Sequence, residues 1–115
     1  MSDLEITRQC AAAMKLRFLT VKDGHYIERP EKEVDYSWDG VYLYDEGSNM
    51  WQRSYLPLHD DAQAMALVKR FGLDIQRYDG WCVRKSDGHG GGEWYCEDDL
   101  NRAIVEYVSK MQAAK

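Results

Sequence analysis

The residues of this chain whose types and spacing could do chemistry are few: His59-Asp60-Asp61, the run His89-Gly90-Gly91-Gly92, an isolated His25, and Arg84 and Trp94 on either side of the glycine run. His89-Gly90-Gly91-Gly92 matches the oxyanion-loop tetrapeptide of some esterases. That reaction also needs a nucleophile in a G-x-S-x-G elbow, which the sequence lacks. A phosphate-gripping P-loop needs Gly-Lys-Ser/Thr and a helix after the glycines, and neither follows Gly92. The run therefore reads as a hairpin loop. His59-Asp60-Asp61 offers an imidazole and two carboxylates to a metal, yet consecutive residues at a helix start point in different directions. Capping of that helix accounts for both acids. His25 has no placed partner and reads as a solvated or packed side chain. No catalytic residue, metal ligand or cofactor is expected.

Arg84, His89 and Trp94 remain a candidate ligand set of another kind. A base could stack on Trp94 or Trp81, while Arg84 and the amides of Gly88 to Gly92 hold a phosphate. This is the basis of an alternative reading, a nucleotide-binding sponge that sequesters a signalling molecule.

The elements that must position these groups follow from periodicity and capping. Pro57 to Leu73 is the clearest. Asp60 is an N-cap with Gln63 at capping-box spacing, Ala64, Leu67, Val68 and Phe71 form one apolar face, and Gly72 supplies a left-handed stop. Ser2-Asp3-Leu4-Glu5 opens a first helix over about residues 3 to 15, with Ile6, Cys10, Ala13 and Met14 on its apolar face and Cys10 as a small buried hydrophobe. A last helix starts near Asp98 or Asp99, buries Leu100, Ile104, Tyr107, Val108 and Met111, and places Glu106 and Lys110 at i, i+4.

Between the helices lie strands joined by Asp-Gly turns. Asp23-Gly24 links Arg17 to Val21 with His25 to Ile27. Asp39-Gly40 is expected to pair Trp38 with Val41 and Tyr36 with Leu43. Asp79-Gly80 is expected to pair Tyr78 with Trp81, Arg77 with Cys82 and Asp74 with Lys85. A hairpin centred on residue 89 sets Cys82 opposite Cys96, Arg84 opposite Trp94 and Lys85 opposite Glu93. The expected architecture is α+β: a three-layer α/β/α sandwich, with a largely antiparallel sheet of hairpins covered by three amphipathic helices, in one domain spanning 1-115.

Composition narrows the function classes. The chain has 115 residues, 44% hydrophobic and 30% charged, an ordinary globular balance. Twenty acids against fifteen bases leave a net charge of -5, and no run of Lys or Arg exceeds two, so direct nucleic-acid binding is not expected. No apolar run approaches a membrane span and no export leader is visible, so a cytoplasmic location is expected. Three widely spaced cysteines without a C-x-x-C pair argue against a zinc site or a disulfide scaffold. Reduced thiols are the expectation, with Cys82 and Cys96 close enough to bridge if oxidised.

The block from Val34 to Tyr55 is rich in aromatics: Tyr36, Trp38, Tyr42, Tyr44, Trp51 and Tyr55. Such residues form strands and pack sheet faces, but Tyr and Trp beside an arginine are also what interface hot spots are made of. Trp38, Tyr42, Tyr44, Trp51 and Arg53 are the candidate protein-binding surface.

The stretch Pro57-Leu58-His59-Asp60-Asp61-Ala62-Gln63-Ala64-Met65-Ala66-Leu67-Val68-Lys69-Arg70-Phe71-Gly72-Leu73, the ending Leu100-Asn101-Arg102-Ala103-Ile104-Val105-Glu106 and the opening helix with Cys10-Ala11 resemble the phage ABA sandwich domain family. The resemblance covers the N-terminal helix and most of residues 57 to 111, and the aromatic block departs from it. It implies an α/β/α fold and a phage or prophage origin in a bacterial host cell, and carries over no catalytic residue. The resulting expectation is a non-enzymatic protein that binds a host protein or complex, as an inhibitor of bacterial defence of the anti-CRISPR kind or another anti-defence protein.

Overall fold

Three stretches carry their own start and stop signals, and each is a helix in the computed structural model, which describes residues 2–23, 25–26, 39–52, 54–86 and 93–114. Helix α1 (Asp3–Ala13) opens with the Ser2 hydroxyl accepting the Glu5 N–H at 3.2 Å. Helix α2 (Asp61–Phe71) opens with the Asp60 carboxylate accepting the Gln63 N–H at 3.0 Å. It ends at Gly72, whose φ of 62° lets its N–H reach back to the Val68 carbonyl. Helix α3 (Leu100–Ala113) is capped by Asp99, which accepts the Arg102 N–H at 2.9 Å. The Gln63 side chain does not close a box on Asp60. It accepts from the Leu56 N–H at 2.7 Å and donates to the Ser54 carbonyl at 2.6 Å, tying the incoming chain to the helix.

The strands are antiparallel throughout. Strands β1 (Phe18–Lys22), β2 (His25–Tyr26), β3 (Gly40–Asp45) and β4 (Met50–Gln52) form one sheet in the order β2-β1-β3-β4. Strands β5 (Leu73–Arg77), β6 (Trp81–Lys85) and β7 (Tyr95–Glu97) form a second in the order β5-β6-β7. The expected α+β class, its antiparallel hairpins and its three amphipathic helices are all present, with the strands divided between two sheets. Helix α1 packs on β1 and β3, α3 packs on β6 and β7, and the two helices pack on each other. Helix α2 lies against α3 and β5. One core unites them: Ile6, Cys10 and Ala11 from α1, Ala64 and Leu67 from α2, Ala103, Ile104, Val105 and Val108 from α3, and Val41, Leu73 and Val83 from the strands. Each large apolar side chain buried in this way contributes roughly 1.5–3 kcal/mol.

Two expected registers differ. Leu43 pairs with Phe18 on one side and Gln52 on the other, so β3 is bordered by β1 and β4 and has no free edge for Tyr36; residues 27–38 lie outside the described residues. In the β5–β6 hairpin Arg77 faces Trp81, Gln76 faces Cys82 and Asp74 faces Arg84, one residue away from a two-residue Asp79-Gly80 turn. The loop takes three residues, Tyr78 to Gly80, and this sets Ile75 opposite Val83 on the core face instead of opposite Arg84. A one-residue slip exchanges the faces of a strand, so burial of Ile75 and Val83 decides the register. Gly80 permits it: φ is 105°, and a Cβ there would lie 2.9 Å from the Glu97 carbonyl oxygen. Lys22 pairs with His25, the register expected of a two-residue connection, and Gly24 lies outside the described residues.

The hairpin centred on residue 89 is as expected in register and not in redox state. Cys82 faces Cys96, and the two form a disulfide with Cα atoms 4.0 Å apart. In the chain-entropy model, a link of this sequence separation, 14 residues, stabilises the fold by about 3 kcal/mol.

Tyr55 is 4% exposed and sits in the core, where its hydroxyl has no hydrogen-bond partner among the described residues. Burial, and the nearby Cys10 thiol, push its pKa well above the ordinary phenol value. An orphaned buried hydroxyl opposes folding. Tyr55→Phe is therefore expected to raise the urea midpoint, by an amount corresponding to about 1 kcal/mol, with the slope unchanged; a lower midpoint would show that the hydroxyl is satisfied.

Candidate functional site

Of the aromatic surface expected from the sequence, the fold takes part into the core. Tyr42 is 6% exposed and clusters with Leu19 and Val21, its cross-strand and neighbouring partners, with Trp51 packed against them. It is a packing residue, not part of an exposed binding face. Period-two alternation correctly puts Tyr42 and Tyr44 opposite Val41 and Leu43, but that second face is covered as well. Tyr44 and Trp51 are half-buried cross-strand partners, their rings edge to face with centroids 5.2 Å apart. The Arg17 guanidinium lies 4.2 Å from the Tyr44 ring centre and 5.8 Å from that of Trp51, and the Tyr44 hydroxyl bonds to the Asn49 side chain. These rings already have a cation and a polar partner from their own chain. Trp38 and Arg53 lie outside the described residues. The apolar group most open to solvent here is Met50, 61% exposed on edge strand β4.

The candidate ligand set meets a similar end. Arg84 stacks on Trp94 at 4.3 Å, the contact expected from the register, and its Nε lies 3.9 Å from the Asp74 carboxylate. Both the stacking face and the cation are thus engaged with the protein itself. His89 and the glycine run lie outside the described residues.

A different constellation does come together. The starts of α2 and α3 lie side by side, joined by the Asn101 amide donating to the Asp61 carboxylate at 2.8 Å. Between them and the first residue of β6 opens a cleft of about 340 Å³, lined by Asp61, Met65, Trp81, Asp98, Asp99, Leu100 and Asn101. Its apolar wall is Trp81, Met65 and Leu100, of which Met65 is exposed and the other two half-buried. Its polar rim is three exposed carboxylates. Asp99 already accepts the Arg102 N–H and Asp61 the Asn101 amide, while Asp98 has no partner among the described residues. No ion pair joins any of the three to a cation among the described residues.

Two nearby cations are engaged with other groups of the chain, one of them on the cleft's own aromatic wall. Arg77 stacks on Trp81 at 5.1 Å. Arg102, one turn into α3, turns away from the cleft to grip both oxygens of Asp3 at 3.0 Å and Glu106 at 3.0 Å, fastening α3 to α1. Glu106 also receives the Tyr95 hydroxyl, which contacts Glu97 at 3.0 Å as well, and Lys110 lies 4.1 Å over the Tyr95 ring. The expected Glu106–Lys110 pair is thereby replaced by Glu106–Arg102 and a cation-π contact. Burial, then the bonds to Glu106 and Glu97, push the Tyr95 phenol well above its usual value. For Glu106 burial acts upward, but its hydrogen bonds with Tyr95, Glu97 and Arg102 outweigh it and hold the carboxyl below the ordinary range.

What the cleft can do follows from this composition. It suits a cation on an apolar stem: the stem lies along Met65, Leu100 and Trp81, and the head reaches the carboxylates. Arg77 already lies over the Trp81 ring, so the indole serves the ligand as apolar wall. Nothing in it is a nucleophile. Cys10 is buried and donates to the Val105 carbonyl at 3.3 Å, and burial pushes its pKa up to about 12, which keeps it an inert thiol. Among the described residues no group of three His, Cys, Asp or Glu side chains could hold a metal ion, and no helix is long and apolar enough to cross a membrane. His59-Asp60-Asp61 divides as capping required: Asp60 caps α2, Asp61 belongs to the cleft rim, and His59 is exposed beside a second, smaller cleft of about 150 Å³ floored by Val41, Tyr55 and Leu58.

A scan against protein-family models, a search of curated proteins and a search of solved structures each find no match to this chain. The cleft's chemistry therefore stands on its residues alone.

Two measurements test these placements. Tyr42→Ala is expected to lower stability by about 3–5 kcal/mol, as loss of a buried aromatic does, while Met50→Ala changes it by less than about 0.5 kcal/mol; equal small effects would return Tyr42 to the surface. The Glu106 carboxyl is held below its unfolded value, so its contribution is fully present above about pH 4.3 and is lost as pH falls through the lower, folded value. Glu106→Gln is expected to weaken stability near pH 7 and to flatten the fall of the urea midpoint between pH 5 and pH 3.

Proposed function

We propose that the chain is a protein-binding domain that receives a lysine- or arginine-bearing segment of a partner protein in the cleft between the starts of α2 and α3. The observation that carries this reading is the set of three carboxylates, Asp61, Asp98 and Asp99, around a half-buried Trp81, with no cation of the described residues paired to them. A net charge of -5 adds a long-range attraction for a basic surface. The reading keeps a protein as partner and moves the contact from the aromatic hairpin to the cleft.

The resemblance to phage ABA sandwich domains stands beside this reading, and under it the partner is a protein of the bacterial host and the effect of binding an inhibition of host defence. The nucleotide-sponge alternative gains no support, because Arg84 and Trp94 are engaged with each other. No catalytic step is part of the proposal.

The test uses tri-lysine and tri-arginine peptides as probes in a ¹H-¹⁵N NMR titration. Saturable shifts are expected at the Trp81 indole and the Asp98–Asn101 amides, weakening as ionic strength rises from about 0.05 to 0.5 M. Asp98 is exposed and has no partner among the described residues, so Asp98→Lys should leave melting within about 0.5 kcal/mol while removing those shifts. Shifts that are absent, or that persist unchanged in Asp98→Lys, overturn the proposal.

A further inference from the structure

The disulfide and the cleft share their chain segments. Cys82 directly follows Trp81, the cleft's aromatic wall, and Cys96 lies two residues before Asp98, its rim. Among the described residues strand β7 pairs with the sheet through Trp81–Glu97, Cys82–Cys96 and Val83–Tyr95, so the bond is the central one of these three rungs. It lies on the face of β6 opposite Val83, away from α3, with Cys82 3% exposed and Cys96 exposed to solvent. Beyond β7 the chain turns at once into Asp98, Asp99 and the start of α3, and Gly80 from the β5–β6 turn is pressed against the Glu97 carbonyl. Covalent closure at residues 82 and 96 thus sets the spacing between Trp81 and the two aspartates.

We infer that the Cys82–Cys96 bond is a thiol-sensitive latch on the cleft: closed, it holds Trp81 and the Asp98–Asn101 corner in binding geometry; open, it releases β7 and that corner. The inference rests on the protein-binding reading of the cleft for its functional meaning. The reductant is a low-molecular-weight thiol such as glutathione. Its thiolate attacks the sulfur of Cys96, the more exposed of the two residues, the Cys82–Cys96 bond breaks, and Cys82 leaves as a thiolate that takes up a proton. A second thiol then displaces the first from Cys96, releasing the free Cys96 thiol and one glutathione disulfide. Two electrons enter the cysteine pair and two glutathione thiols are oxidised. In a reducing cytoplasm the latch would open and in an oxidising one it would close, so the same chain would present a loose or a formed cleft according to the thiol balance around it.

The experiment compares the full chain equilibrated in oxidised glutathione with the same chain in millimolar reduced glutathione. Backbone amide hydrogen exchange is read over residues 95–102, with α1 residues 6–11 as internal reference. Reduction is expected to speed exchange at 95–102 by at least tenfold and to leave 6–11 within about twofold. The variant Cys82→Ala/Cys96→Ala should exchange like the reduced protein in both buffers, with its helical circular dichroism retained. Failure of millimolar reduced glutathione to open the bond, or exchange at 95–102 that stays within twofold on opening, overturns the inference. Titration of tri-lysine into both forms separates the two ideas. At least fivefold weaker binding after reduction supports the latch as a regulator of binding, equal binding by both forms overturns that role, and no binding by either form overturns the binding reading while the exchange result still decides the latch.

Discussion

Helix α3 is packed by α1, by α2 and by strands β6 and β7, so Ala103, Ile104, Val105, Val108 and Ser109 are all buried around successive turns of one helix. Such a helix cannot rotate or slide without opening contacts on several sides, because close-packed interiors resist small displacements. Its orientation in turn places its first residues. Asp98, Asp99 and Asn101 arrive beside the start of α2 because the core behind them admits no other position, and the Asn101–Asp61 hydrogen bond records that meeting. Arg102 adds a directional lock. By holding Asp3 with two bonds and Glu106 with a third, it fixes α3 against α1 and is paired away from the cleft's carboxylates. That the cleft's carboxylates have no ion pair with Arg102 is therefore a consequence of how the central helix is fastened.

Much of this was legible in the amino-acid sequence, and the parts that were not share a physical cause. Ser2, Asp60, Asp99 and Gly72 act within one turn of the chain, where capping chemistry is local, and all four occupy the positions their types require. The Cys82–Cys96 register was readable because both strands and the intervening loop are contiguous. The β5–β6 register was not, since whether Asp79-Gly80 closes a two- or a three-residue loop depends on which alternative sets Ile75 beside Val83 in the core. The faces of the first sheet were separated correctly, yet alternation says only that Tyr42 and Val41 face opposite ways. It cannot say that both ways are covered. The cleft itself draws on residues 61–65, 81 and 98–101, and only tertiary packing assembles pieces so far apart. Its one local trace is the pair of adjacent acids at each of two helix starts, Asp60-Asp61 and Asp98-Asp99.

Capping does not exhaust them, and the distinction decides which carboxylate carries a ligand. A carboxylate has about four acceptor sites, and a single backbone N–H occupies one. Asp99 is held by the Arg102 N–H and Asp61 by Asn101, so neither can swing to meet an incoming cation without giving up a bond that orders a helix start. They supply a fixed field. Asp98 precedes the cap, is exposed and has no bond to lose among the described residues. It is the group free to close on a cation, at the usual cost of ordering a surface side chain. A fixed pair at the helix starts with one adaptable arm favours a charged head on a flexible stem over a rigid planar ligand, because the arm can follow the head while the Trp81, Met65 and Leu100 wall takes the methylenes. That wall has one member on β6 and another on α3, on the two chain segments that the Cys82–Cys96 bond joins. Affinity for such a ligand is then set less by the number of carboxylates than by how firmly the two walls are held at one spacing, since a preorganised site loses less ordering free energy when it binds.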